Sequence, residues 1–209
     1  MQEEMSLWRS TDLQDAEMFN ILYEEYPSAL TIENHSFRIL TDFRDWISFS
    51  EMIMDPELKS EDKILLAFDW FTDEKPDSAE KMIKAMGEFF SFDFKGKKTY
   101  NRQNTGHSKR PVFSFAYDGI YVLADFRRYY NIELKTVNYM HWWEFRALFL
   151  ALPDDSETRK RIGYRSMKLN DIKDKEERRR IRKIQRDIMI PVSDTLSDED
   201  IGEILSTCV

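Results

Sequence analysis

The chain has 209 residues, of which 42% are hydrophobic, 14% aromatic and 33% charged, and its formal net charge is −8. A chain of this length can bury a sizeable core, whereas its 6 glycines and 6 prolines are too few for a many-turned β-sandwich. One cysteine excludes an internal disulfide, and no apolar run is long enough to span a membrane. The acidic start does not have the layout of a secretory signal, so we expect a cytoplasmic protein.

Charge is distributed unevenly along the chain. Residues 159–186 contain 13 Lys and Arg against 4 Asp and Glu, a net +9, which leaves −17 for the rest of the −8 total. Such asymmetry indicates electrostatic choice of a partner, and self-association is an equal alternative.

The first quarter of the chain predicts an acidic segment followed by a hairpin. Residues 1–25 form an acidic amphipathic segment that Pro27 ends. Residues 29–33 and 37–41 alternate like short strands around Asn34, His35 and Ser36, and Asn tolerates the left-handed conformation of a tight turn. We therefore predict one small N-terminal β-hairpin, in a compact multi-helix domain that is otherwise mainly α.

Three helices are predicted next. The first is capped by Thr41 or Asp42 and ends near residue 54, the second covers 60–71, and the third is capped by Asp77 or Ser78. The apolar residues that they offer for burial are Phe43, Ile47, Met52, Ile53, Ile64, Leu65, Phe68, Phe71, Met82, Ile83, Met86, Phe89 and Phe90.

The segment 95–111, KGKKTYNRQNTGHSKRP, is basic and has no apolar periodicity, which predicts a loop. Loops of this length are often functional or disordered. Folding upon a partner and a plain connector are both open interpretations.

Two helices rich in aromatic residues follow, at 112–130 and at 139–152. The second has apolar residues on more than one face, which predicts a central, buried helix. His141, Trp142 and Trp143 suggest a recognition site, since Trp is enriched at binding hot spots. Core packing is the favoured interpretation for them, and also for the aromatic run 113–130.

The last third is charged. A short helix at 156–162 leads through Gly163 to Tyr164 and Arg165, and a second helix covers 171–188. This second helix has favourable four-residue charge pairs, namely Asp171 with Lys175, Asp174 with Arg178 and Glu176 with Arg180. Residues 192–209 then predict an acidic flexible tail, either inert or competing for the arginine cluster.

Patterns for known chemistry are missing from the sequence. It contains no phosphate-binding loop, dinucleotide fingerprint or nucleophile elbow, and its 3 histidines are far apart. We therefore expect no enzyme, no metal and no cofactor, although an acid pair among 39 Asp and Glu stays open. The arginines of 159–186 resemble a nucleic-acid stripe, but interspersed acids and the negative total favour a solvated or protein-facing surface.

Several stretches together resemble a bacteriophage family, the Gp-fifteen family. They are LTIENHSFRILTDFRDWISF (30–49), EDKILLAF (61–68), FSFAYDGIYVLADF (113–126), YYNIEL (129–134), HWWEFRALFLALP (141–153) and IGYRSMKLNDIKDKEERR (162–179). The resemblance covers about residues 26–191, which we take as one helical domain.

The resemblance implies a protein of long-tailed phages or prophages of Gram-positive bacteria, with a gene between those of the major tail protein and the tape measure protein. That position suggests a tail assembly chaperone that acts in the host cytoplasm, contacts the tape measure protein and possibly the major tail protein, and is absent from the mature virion. The alternatives are a nucleic-acid-binding protein and a minor structural tail component. The residues that we expect to contact or support a partner are Trp142, Trp143, Tyr164, Arg165, Arg178, Arg179 and Arg182.

Overall fold

The computed structural model of the chain describes residues 20–91 and 111–191. The predictions for 1–19, 92–110 and 192–209 therefore lie outside the described residues. The described elements are β1 (Ala29–Ile32), β2 (His35–Arg38), α1 (Phe43–Met54), α2 (Ser60–Ala67), α3 (Ala79–Phe90), α4 (Phe115–Tyr130), α5 (Trp142–Leu150), α6 (Glu157–Ser166) and α7 (Lys175–Asp187), with short 3-10 helices at Phe68–Trp70 and Leu169–Asp171. The predicted mainly α fold with one N-terminal hairpin is confirmed.

The hairpin is antiparallel and pairs Ala29 with Arg38 and Ile32 with His35. Its turn consists of Glu33 and Asn34, whose φ angles are 51° and 67°. Two left-handed residues make the two-residue turn whose twist suits a hairpin. The turn is therefore shorter than the predicted Asn34–Ser36 turn, and the second strand starts earlier.

The starts of α1 and α5 are tied together. Asp42 caps α1 by accepting a hydrogen bond from the backbone N–H of Arg44 at 2.9 Å, as the sequence predicted. The N–H of Phe43 donates to the carbonyl of Met140, and the N–H of Trp142 donates to that of Thr41. These two hydrogen bonds form a short antiparallel bridge that fixes the first residues of α1 and α5 relative to each other, so that the aromatic side chains of the two helices pack together.

The core is a cluster of aromatic rings between α1, α3, α4 and α5. Trp46 and Trp142 are completely buried, with ring centroids 6.4 Å apart, and the ring of Phe90 stacks on Trp142 at 5.1 Å. Buried aromatic side chains carry a large share of core energetics because each removes much apolar area from water. Trp46 and Phe49 belong to this core, although the apolar pattern of α1 had not singled them out.

Two helices differ from prediction near their starts. The helix α5 begins at Trp142 and not at residue 139, because His141 is its N-cap. The helix α4 begins at Phe115, three residues after the prediction, with Ser114 before it.

The last two helices also have different bounds. Gly163 lies inside α6, which continues to Ser166, so the predicted break there is wrong. The helix α7 begins at Lys175, because Asp174 caps it and the preceding residues form a 3-10 turn. The ion pair of Arg180 is with Glu177, three residues before it, and not with Glu176.

The helices pack in an order that defines two ends of the domain. The helix α2 packs on α1 and α3, α1 packs on α4 and α5, α4 packs on α6, and α6 packs on α7. Thus α2 and α7 lie at opposite ends of this series. None of the helices in the described ranges has the length and apolarity to cross a bilayer.

Candidate partner-binding surfaces

The two tryptophans of the predicted site hold α3 in place. The indole N–H of Trp142 donates to the carbonyl of Phe90 at 3.0 Å, and that of Trp143 donates to the carbonyl of Phe89 at 2.9 Å. These carbonyls lie in the last turn of α3, where a helix lacks its own donors. Trp142 is 0% exposed, so it supports the fold and does not contact a partner directly. Trp143 is half-buried.

His141 is held in one tautomer by two backbone groups. Its Nδ1 accepts from the N–H of Trp143 at 3.0 Å, and its Nε2 lies 3.0 Å from the carbonyl of Pro27. A ring protonated only at Nε2 satisfies both contacts. Burial lowers the pKa of His141, and the Pro27 carbonyl opposes that shift. The residue is therefore a structural cap, and both its contacts and its burial favour the neutral ring.

Arg165 lies at the centre of a buried ion pair. Its Nη1 and Nη2 donate to the two carboxylate oxygens of Asp118 at 2.6 and 2.9 Å, and the side chains are 7% and 1% exposed. The same guanidinium donates to the carbonyls of Val112 and Ile188. Arg165 thus joins α6 to the start of α4 and to the chain after α7, and its support of a partner surface stays a prediction of an indirect role.

A sequence signal for this arrangement lies in α4. Asp118 and Asp125 are seven residues apart in an otherwise aromatic helix, and both are buried. Asp125 accepts from the N–H groups of Glu157 and Thr158, and so caps α6. Two carboxylates on one helical face indicate a neighbouring helix that offers donors, here α6.

The remaining predicted residues lie on or beside α7. Tyr164 is half-buried, and its carbonyl accepts from the side chain of Gln185 at 2.8 Å. Arg178 is half-buried too, and its guanidinium donates to the carbonyl of Ile172. Arg179 and Arg182 are exposed. Of the predicted set, these two are fully available to a partner.

Arg179 and Arg182 belong to a larger cationic surface. We define the basic face of α7 as Lys175, Arg179, Arg182, Lys183 and Arg186, all exposed. Ile181, on the other side of the helix, is 2% exposed and packs inward. Among the described residues only Arg186 of this face has an ion pair, with Asp187 at 3.8 Å. The face therefore presents four cations without a described carboxylate partner.

A second surface on α4 is apolar. We define the α4 apolar row as Ala116, Tyr117, Ile120 and Ala124, which all face solvent, Tyr117 being 53% and Ile120 69% exposed. The prediction that the aromatic run is core is confirmed for Phe113, Phe115 and Phe126, and Tyr117 is the exception. The helix carries two apolar stripes, and the sequence alone does not tell which one is buried.

A third surface, on α2, is acidic and apolar together. We define the acidic face of α2 as Glu61, Asp62, Leu65 and Leu66, all exposed. Leu65, which the sequence assigned to the core, is 67% exposed, because Lys63 and Ala67 occupy the buried side.

Metal-ligand groups and clefts in the described ranges bear on small-molecule chemistry. No group of His, Cys, Asp and Glu there is arranged to hold a metal ion. An open cleft of about 220 Å³ lies between β1 and α3, and the Lys81–Glu33 ion pair crosses it. Lys84 and Glu88 line the same cleft.

Comparison with known proteins identifies a matching family but finds no individual protein that matches. No curated protein and no solved structure matches the chain. A family model described as "Bacteriophage Gp15 protein" matches residues 22–189, well over half of the chain and all of the described helices. The domain of seven helices and one hairpin, with its buried aromatic centre, is therefore a member of the bacteriophage Gp15 protein family.

Proposed function

We propose that this phage protein is a tail assembly chaperone that binds and shields the tape measure protein through non-covalent contacts. It acts in the bacterial cytoplasm and is left out of the finished virion. Family membership supports the phage context. The gene position that the resemblance implies, beside the tape measure gene, supports the choice of partner.

The observation that carries the proposal is the α4 apolar row. A tape measure protein is a long, largely helical chain whose apolar stripes aggregate when bare. A helix that exposes Tyr117 and Ile120 on one side, and is fixed by α1 and α6 on the other, offers a preformed surface to such a stripe. Arg128, exposed at the end of the row, adds positive charge for acidic residues of the partner, whereas Arg127 is paired with Glu133.

The strength of this contact suits a temporary cover. Complete burial of Tyr117 and Ile120 gives about 1.5–3 kcal/mol each at most, and association consumes several kcal/mol of this gain. One copy therefore binds weakly, so that tail-tube subunits can displace it. Many copies along one tape measure chain hold it by avidity.

Co-expression with the tape measure protein tests the proposal. We expect the wild-type chain to keep the tape measure protein soluble and to co-purify with it, and Tyr117→Ser with Ile120→Ser to abolish both effects. A matched control replaces two other exposed apolar residues, Leu22→Ser with Tyr23→Ser, and retains both. Equal insolubility of the tape measure protein with and without the wild-type chain refutes the proposal, as does full activity of the α4 variant.

The basic face of α7 favours nucleic acid as a second candidate partner. Lys175 and Arg186 are 11 positions apart in the sequence, or roughly 16 Å along the helix, which is enough for contact with several phosphates. A gel-shift assay at physiological salt decides: tight binding that is lost in Arg179→Gln with Arg182→Gln supports this candidate. Mass spectrometry of purified virions distinguishes the chaperone and the nucleic-acid-binding protein from a structural tail component. Of the three, we expect only a structural component to be abundant in virions.

A further inference from the structure

We infer that the basic face of α7 docks on the acidic face of α2 of a second copy, so that the chain self-associates head to tail. The inference concerns contacts between copies and does not depend on the tape measure protein as partner. It rests on two exposed surfaces whose charge and shape are complementary.

The receiving surface is the acidic face of α2. Glu61, Asp62, Leu65 and Leu66 occupy adjacent positions on the outer side of one helix, opposite the buried Lys63 and Ala67. No ion pair with a described residue engages Glu61 or Asp62. Two carboxylates beside two exposed leucines offer both charge and apolar area to a cationic partner.

The surroundings of α2 extend this negative charge. Residues 51–80 contain 10 Asp and Glu against 3 Lys, and one of these lysines, Lys63, is buried. Nine of the ten carboxylates belong to exposed residues, Asp55 being the exception. The potential around α2 is therefore negative over more than the face itself, which steers a cationic partner toward it.

The donating surface is the basic face of α7. Its cations lie in a row on one side of the helix, and long Lys and Arg side chains carry apolar stems below their charged heads. The stems of Arg179 and Arg182 can cover Leu65 and Leu66 while their guanidinium groups reach Glu61 and Asp62. Arginine is well suited to such a contact, because it binds carboxylates in a bidentate manner.

The fold directs this contact to another copy. Within the described residues α2 and α7 do not pack on each other, and the packing order places α1, α4 and α6 between them. Two different surfaces that match each other make a heterologous interface, which continues from copy to copy until a ring closes or an open array forms. Self-association of this kind leaves the α4 apolar row uncommitted.

Charge reversal on the full-length chain tests the inference. We expect the wild type to form oligomers that weaken about tenfold between roughly 50 and 500 mM salt, measured by sedimentation velocity. Glu61→Lys with Asp62→Lys should be monomeric, and so should Arg179→Glu with Arg182→Glu. The four substitutions together in one chain should restore oligomers, because the reversed faces match again. This restoration also shows that the variants fold.

Control variants carry the same charge changes elsewhere. Glu24→Lys with Glu25→Lys, and Lys84→Glu with Lys135→Glu, alter exposed residues outside both faces and should leave the oligomers intact. A wild type that stays monomeric at high concentration overturns the inference. So does a wild-type degree of association in the α2 variant, since α7 then binds another acidic group, such as the segment 192–209, or a nucleic acid. The inference is also overturned if the variant with all four substitutions is folded, as judged by circular dichroism, and still does not associate.

Discussion

The ion pair between Arg165 and Asp118 gives the sharpest prediction for stability. Replacing Arg165 by Met keeps most of the apolar volume but leaves the carboxylate of Asp118, 1% exposed, with only the N–H of Ser114 at 3.1 Å. Removing one partner of a buried ion pair costs about 3–5 kcal/mol. The carbonyls of Val112 and Ile188 also lose their donor, so we expect the upper part of this range.

Urea unfolding of a double-mutant cycle measures this effect. Arg165→Met combined with Asp118→Asn removes both charges, and the double variant should be less destabilised than the sum of the single variants by about 2 kcal/mol or more. Arg180→Met is the control, because the Arg180–Glu177 pair is exposed at 61% and 43% and is worth less than about 1 kcal/mol. If Arg165→Met lowers the free energy of unfolding by less than about 1 kcal/mol, the reasoning is refuted. A loss that small would mean that the buried ion pair contributes little to the stability of the core.

Three further outcomes are expected. Because burial lowers the pKa of His141, the folded chain favours the neutral ring, so this contribution to stability is complete above the ordinary pKa of 6.5 and is lost as the pH falls below it. Melting temperatures between pH 8 and pH 5 should therefore fall more for wild type than for His141→Asn, which retains a capping side chain; parallel curves would contradict this. Trp142→Phe should lower the free energy of unfolding by about 1–3 kcal/mol, since the carbonyl of Phe90 loses its donor. Ile120→Ser, at a 69% exposed position, should change the free energy of unfolding by less than about 0.5 kcal/mol in the same urea titration.

Local signals in the sequence predicted the helices well. Asp42 and Ser78 cap the helices that follow them, as their side chains and positions indicated. Asn34 takes a left-handed conformation in the hairpin turn. Each of these features depends on a few neighbouring residues, which is why the sequence alone is enough for them.

The candidate surfaces depended on contacts that no local pattern contains. Arg165 and Arg179 look alike in a basic stretch, yet one is buried against Asp118 and the other is exposed. Only the tertiary partner distinguishes them, and that partner is 47 residues away for Arg165. Leu65 was misplaced for a similar reason, because the buried side of α2 is occupied by Lys63, whose Nζ donates to the carbonyl of Ile53.

The bonds of the indole groups have a spectroscopic consequence. Trp46, Trp70, Trp142 and Trp143 all donate their N–H to main-chain carbonyls around one aromatic cluster. Four fluorophores thus share one environment, and they lose it together when that cluster opens. Intrinsic emission should shift to the red in a single step on unfolding, which makes the chain its own probe, without any label.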